Sequence, residues 1–95
     1  MTMDKREFLG SSGIPVRTLE LWLEQRWLIP AETQAGPAFS EADIARARLI
    51  KELKTDFSVN DEGVDIVLHL MDQLHGLRQV LAQLREDMRR RAPPI

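Results

Sequence analysis

The side chains that could do chemistry are acidic and lie in one segment. Residues 55–77 contain five carboxylates and neither Lys nor Arg. On a helix, Asp61, Asp65 and Asp72 fall within about 40° of one line, and His69 lies on the same stripe. Such a row can attract and orient a basic partner, with an energy that depends on salt. A solvated helix face would show the same pattern, and Asp61 could serve only the helix dipole, so both interpretations stay open.

Patterns for catalysis and metal binding are missing from the sequence. It has no Ser/His/Asp set, no paired catalytic carboxylates and no Gly-rich phosphate loop. There is no cysteine, and the two histidines, His69 and His75, lie roughly 240° apart around a helix. We therefore expect no enzyme activity, no metal site and no cofactor.

Residues that could contact DNA lie in two places. Arg17 and Thr18 are in one predicted helix, and Arg46 and Arg48 are in the next. The formal net charge is −2, with 15 acidic against 13 basic residues, which weakens attraction to a phosphate backbone. DNA binding is disfavoured by this balance but stays open.

Length and composition limit the architecture to one domain. With 95 residues, of which 43% are hydrophobic, the chain can build a modest core that needs help from a partner chain. The start, MTMDKREFLG, has no apolar stretch of signal-peptide length, and no run of eighteen apolar residues occurs. These features predict a cytoplasmic protein.

Periodicity and turn signals place two short helices and a hairpin in the first part of the chain. A first helix is predicted from Asp4 to Gly10, with the GSSG stretch ending it. Pro15 suits the start of a second helix. Its core stripe would be Val16, Leu19, Trp22 and Leu23. Two strands, Trp27–Pro30 and Ala38–Phe39, are expected on either side of the turn-rich AETQAGP segment, as a small wing.

Two further helices complete the predicted order. Ser40 and Asp43 resemble an N-terminal capping box, which opens a third helix ending near residues 54–57. Asn60 can cap a fourth helix that runs to about Arg91, before Pro93 and Pro94. We therefore divide the chain into residues 1–57, a winged helix-turn-helix, and residues 58–92, a long helix for partner binding and dimerisation.

The fourth helix carries two apolar seams. The first contains Val64, Val67, Met71 and Leu74, and the second contains Leu77, Leu81, Leu84 and Met88. The three-residue step between Leu74 and Leu77 predicts a slip in the repeat beside Gly76. We expect the first half to pack on the N-terminal helices, helped by Ile66, Leu68 and Leu70. The second half would form a coiled-coil arm that requires another chain.

The order of elements resembles the MerR family of DNA-binding regulators. RTLELWL and RWLIP stand where that family has its second helix and following strand, and the matches are Arg17, Thr18, Leu19, Leu28 and Pro30. Glu20 stands where the family has an arginine, Leu21 and Trp22 replace two tyrosines, and the wing lacks the family's Arg and first Tyr. A carboxylate near phosphates replaces attraction by repulsion. The resemblance implies a mainly α, MerR-like winged helix-turn-helix fold whose DNA chemistry is largely missing.

A closer resemblance, to the CbpM-type chaperone modulators, covers nearly the whole chain. It is carried by EFLGSSGI, by FSEADIARARLIKELKTDF and above all by LHLMDQLHGLRQVLAQLR. The resemblance implies a protein that binds the J-domain of a DnaJ-like co-chaperone, CbpA, and inhibits it by occupying the surface that Hsp70 would use. A J-domain presents a helix rich in Lys and Arg to Hsp70, which fits the acidic segment.

Two functional hypotheses and one weaker possibility follow. The first is a homodimeric chaperone modulator that binds its partner through Asp61, Asp65, Leu68, His69 and Asp72 and dimerises through the seam from Leu77 to Met88. The second is a minimal DNA-binding transcriptional regulator that uses Arg17, Thr18, Arg46 and Arg48. The third, an oligomerisation adaptor, would keep only the coiled coil.

Overall fold

Four helices and one hairpin make up residues 2–91, the part of the chain that the computed structural model describes. In chain order they are α1 (Lys5–Ser12), α2 (Val16–Glu24), β1 (Ala31–Thr33), β2 (Gly36–Ala38), α3 (Glu41–Thr55) and α4 (Asp61–Arg91). This architecture confirms the predicted fold class, a mainly α winged helix-turn-helix with a small sheet and a long C-terminal helix. Among residues 2–91, none of the helices combines the length and the hydropathy of a membrane-spanning segment.

Local capping explains where three of the helices begin. The Asp4 carboxylate accepts the Glu7 N–H at 2.8 Å, and the Glu7 side chain accepts the Asp4 N–H at 3.2 Å, which closes a capping box on α1. The capping box of Ser40 with Asp43 opens α3 as predicted. The Asn60 Oδ1 accepts the Gly63 N–H at 2.8 Å, so the predicted cap of α4 is confirmed.

The first helix is longer than the sequence suggested. α1 continues through Gly10 to Ser12 and ends at Gly13, which has a φ of 73° and donates its N–H to the Leu9 carbonyl. Glycine adopts this left-handed conformation without the steric cost of a Cβ, so it is the natural end of a helix. The predicted end at Gly10 was wrong because a single glycine can remain helical when a better terminator follows three residues later.

The hairpin lies mostly inside the segment that was predicted to be its connecting loop. β1 and β2 pair antiparallel, with Ala31 opposite Ala38 and Thr33 opposite Gly36. Gly36, at a φ of 110°, closes the short turn, and the Thr33 hydroxyl donates to the Gly36 carbonyl at 2.6 Å. The predicted first strand, residues 27–30, is wrong, because the strand pairing begins at Ala31 and the Trp27 N–H bonds instead to the Trp22 carbonyl of α2. Backbone pairing across a two-residue turn decided the register instead.

The core of the N-terminal part joins α1, the hairpin end, α2 and α3. The rings of Phe8 and Phe39 stack with centroids 4.3 Å apart, and the Met3 and Phe39 backbones exchange two hydrogen bonds of 2.7 Å. Trp22 and Trp27 are both buried, with centroids 6.3 Å apart, so the predicted core position of Trp22 is confirmed. Val16, predicted to be in the core stripe, is 51% exposed, whereas Leu19 is fully buried.

The described chain divides into two units within α4. The first extends to Val64, and the second begins at Asp65 and consists of the remainder of α4. The functional division into residues 1–57 and 58–92 stays a prediction. Val64 and Leu68 are buried, but Ile66 and Leu70, also predicted to face inward, are 61% and 56% exposed. The reason is geometric, because residues two apart on a helix point about 200° away from each other.

Candidate partner-binding surfaces

The second unit presents an acidic face, which we define as Asp65, His69 and Asp72. All three residues are exposed on α4. Their spacing of four and three places them within about 60° of one another around the helix. Both carboxylates also have interactions within the chain. The sequence placed these residues together because helical periodicity is enough to define a helix face.

Asp61, predicted to belong to the same surface, has a local partner in the first unit. Its carboxylate forms an ion pair with the Lys54 ammonium, and these side chains are 52% and 36% exposed. The Lys54 Nζ also lies 5.7 Å from the centroid of the Trp27 ring. The acidic segment is therefore partly neutralised at its start. Sequence reasoning missed this contact because Lys54 lies at the end of α3, outside the helix that carries Asp61.

Leu68, the apolar residue of the predicted partner-binding set, is a core residue. Its side chain is only 2% exposed. A buried side chain has no accessible area to lose when a partner binds, so it contributes no hydrophobic free energy to that contact. We leave Leu68 out of the acidic face.

A second surface of α4 is apolar and exposed. Seven side chains on it have exposed fractions between 48% and 64%: Ile66, Leu70, Leu74, Leu77, Leu81, Leu84 and Met88. We call them the apolar face. From Leu70 to Met88 the steps alternate between four and three, which is the uninterrupted heptad pattern of a coiled-coil seam. The predicted slip beside Gly76 stays a prediction, since its seam used Met71, which is 41% exposed, where this stripe uses Leu70.

The acidic and apolar faces point in different directions. Around an ideal helix their mean directions differ by roughly 130°. Asp65 and Asp72 occupy the outermost position of the heptad whose seam contains Leu70 and Leu77. One helix can therefore contact a second copy on one side and a different partner on the other.

The outer face of α2 carries more negative than positive charge. Arg17, Glu20 and Glu24 are all exposed, at spacings of three and four that belong to one helix face. The Glu20 carboxylate lies 3.6 Å from the Lys5 ammonium of α1. Thr18, proposed beside Arg17 for DNA contact, is half-buried. This helix face does not have the cationic character that phosphate contact requires.

The two arginines of α3 lie in different environments. Arg46 is half-buried, and its Nε donates a hydrogen bond to the Trp27 carbonyl, so it connects α3 to the segment after α2. Arg48 is exposed and lines a cleft that also contains Glu41. Arg46 therefore has an internal structural contact that its sequence position did not suggest. No three His, Asp or Glu side chains within residues 2–91 are placed to hold a metal ion.

The fold and these positions agree with one family of regulators. Residues 3–86 match the family described as MerR HTH family regulatory proteins. The chain belongs to this family. The match includes the winged helix-turn-helix and most of α4, so the MerR-like part of the resemblance is confirmed. No curated protein and no solved structure matches the chain.

Proposed function

We propose that this MerR-family protein acts on another protein rather than on DNA. It is a chaperone modulator that binds the J-domain of a CbpA- or DnaJ-like co-chaperone and inhibits its cooperation with Hsp70. The observation that carries the proposal is the exposed acidic face of α4, Asp65, His69 and Asp72. A J-domain surface rich in Lys and Arg is complementary to it, and the CbpM-like strings of the sequence support the same partner.

The charges of the acidic face would orient the basic partner more than they would strengthen its binding. Exposed ion pairs contribute about 0.2–1 kcal/mol each, so two carboxylates alone cannot hold a partner tightly. They accelerate encounter and select the orientation in which a basic helix lies along α4. Occupying the basic surface of the J-domain denies it to Hsp70, which gives inhibition by competition without any catalytic step.

The apolar face supports a homodimer. Leaving seven large apolar side chains exposed in one stripe is unfavourable for a water-soluble helix, and pairing with a second copy would remove them from water. α4 is also asymmetric in charge: residues 61–77 carry four acids and no Lys or Arg, and residues 78–91 carry five arginines against two acids. An antiparallel pair places each acidic half beside the partner's basic half, which favours that orientation.

A minimal DNA-binding regulator is the second candidate. Its support is family membership together with the exposure of Arg17 and Arg48. It predicts binding to duplex DNA whose affinity falls steeply with salt, with a slope of about 0.9 per phosphate contact. Glu20 and Glu24 on the outer face of α2 oppose it.

The test uses ATP hydrolysis by Hsp70 stimulated by the J-domain. Wild-type protein should suppress the stimulated rate. The Asp65→Lys/Asp72→Lys variant should need roughly tenfold more protein, because it replaces two attractions by two repulsions. Glu32→Lys, at an exposed position in β1, has the same charge change per residue and should inhibit like wild type. Equal inhibition by all three proteins would contradict the acidic face as the binding surface.

A further inference from the structure

The first unit contains an apolar cleft that neither α4 face uses. It has a volume of about 300 Å³ and lies between the turn before α2, α2 itself and the end of α3. Ile14, Leu21 and Trp22 are its main apolar side chains, and Thr18, Lys51 and Lys54 are its main polar ones. This volume is at the lower end of the range that small organic ligands occupy in proteins.

The floor of the cleft is fixed, and its rim is exposed. Ile14 and Trp22 are 6% and 4% exposed, so both are held by the core. Leu21 at the rim is 47% exposed. An apolar ligand would cover Leu21 and contact a preformed floor, and preorganisation of this kind lowers the cost of binding.

The charge of the cleft has one sign. Lys51 and Lys54 line it, and no Asp or Glu does. Lys54 already has Asp61 as its ion-pair partner. Lys51 is exposed, and no carboxylate among residues 2–91 forms an ion pair with its ammonium. Lys51 can therefore accept a carboxylate from outside without breaking an internal ion pair.

Two other clefts of the described chain are lined by charges of both signs. One is lined by both Glu41 and Arg48, and another by both Arg26 and Glu32. A ligand of either charge would meet a like charge in those clefts. The combination of an apolar floor with cations only distinguishes the cleft beside Lys51.

We propose that this cleft binds a small apolar carboxylate, with the hydrocarbon part against Leu21 and Trp22 and the carboxylate at Lys51. The Thr18 hydroxyl is a further hydrogen-bond donor at the lining. Binding is a simple association, with no covalent step. The proposal is independent of the J-domain hypothesis, because none of these residues belongs to the acidic or apolar face of α4.

The test titrates the full chain with probes that separate charge from apolar area. Octanoate has both features, octanol lacks the charge, octylammonium reverses it, and acetate lacks the hydrocarbon chain. Trp22 lines the cleft, so tryptophan fluorescence reports on occupancy, and amide chemical shifts locate the site. Octanoate should bind saturably and up to about fivefold more tightly than octanol, since one part-exposed ion pair contributes up to about 1 kcal/mol. Octylammonium and acetate should bind more weakly than octanoate.

Variants at exposed positions test which residues bind the charge of the ligand and which contact its hydrocarbon part. Lys51→Gln should remove the preference for octanoate over octanol, and Arg48→Gln, a matched cation loss elsewhere on α3, should leave it unchanged. Leu21→Ser should weaken octanoate and octanol together. Equal affinities for octanoate and octanol, an unchanged preference in Lys51→Gln, or chemical-shift changes confined to the apolar face of α4 would each overturn the proposal.

Discussion

At the scale of single residues, Glu20 is the position at which we expect this protein to differ from a DNA-binding member of its family. Its carboxylate lies 3.6 Å from the Lys5 ammonium, and the two side chains are 60% and 42% exposed. A pair this exposed contributes about 0–1 kcal/mol to stability. The negative charge of Glu20 therefore matters more for what α2 can bind than for holding α1 and α2 together.

We predict that Glu20→Arg increases affinity for duplex DNA without unfolding the protein. Fluorescence anisotropy should show that affinity falls more steeply with salt. The slope of log affinity against log salt should become more negative by about 0.9 for one new phosphate contact. The melting temperature should change little, because only a surface ion pair is lost. Glu52→Arg, an exposed acid on α3, is the matched control, and the same gain in both variants would show that net charge alone is responsible.

Residue-level prediction succeeded for contacts between near neighbours in the chain. The capping box of Ser40 with Asp43 and the Asn60 cap involve residues three apart, and hydrogen bonds of this kind follow from local sequence. The hydrogen bond from Arg46 to the Trp27 carbonyl joins residues 19 apart. That bond depends on how α3 packs, and no sequence pattern near Arg46 indicates it.

At the scale of elements, α4 contains two glycines in opposite environments. A Cβ added at Gly63 would lie 2.6 Å from the Val59 Cγ1 and 3.1 Å from the Asn60 Oδ1. A Cβ added at Gly76 would have no atom within 4 Å. The glycine at 63 thus allows the Val59 side chain and the Asn60 cap to pack against the first turn of α4.

We predict that Gly63→Ala and Gly76→Ala change stability in opposite directions. Gly76→Ala should stabilise α4 by about 0.5–1 kcal/mol, because alanine loses less backbone entropy than glycine in a helix. Gly63→Ala should instead lower the free energy of unfolding by about 1 kcal/mol, since Val59 must move and the cap is disturbed. Urea denaturation of both variants measures the difference, and equal stabilisation would contradict the close packing at Gly63.

Element-level prediction was right about which helices form and less accurate about the hairpin and α1. Amphipathic spacing and caps define α3 and α4, because both signals are strong and local. The apolar Trp27 and Leu28 suggested a strand, but they are buried core residues N-terminal to β1. Apolar content alone cannot separate a buried loop from a strand, whereas Gly36 at a positive φ decides the hairpin turn.

At the scale of the whole molecule, the apolar face of α4 sets the oligomeric state in our proposal. Leu77, Leu81, Leu84 and Met88, predicted from sequence to form a coiled coil, are 62%, 60%, 53% and 64% exposed in the single chain. Removing one such leucine from water contributes about 1.5–3 kcal/mol when burial is complete. A second copy of α4 would offer a matching surface along the whole stripe.

We predict that Leu77→Glu with Leu84→Glu converts a dimer into a monomer. Two charges in the seam would have to be desolvated on pairing, which outweighs the remaining apolar contacts. Sedimentation equilibrium over a dilution series should show wild-type dimer and variant monomer, and Gln79→Glu with Glu86→Gln, away from the seam, should remain dimeric. A monomeric wild-type protein at micromolar concentration would contradict the proposed dimer.

We propose that this MerR-family scaffold binds a J-domain and not DNA. Calorimetric titration of the purified protein with the J-domain of a CbpA-like co-chaperone measures the first of these interactions. A duplex DNA titration at the same moderate salt is the control. We expect micromolar or tighter binding to the J-domain and no heat with DNA. Binding to DNA without binding to the J-domain would contradict it and would support the transcriptional regulator instead.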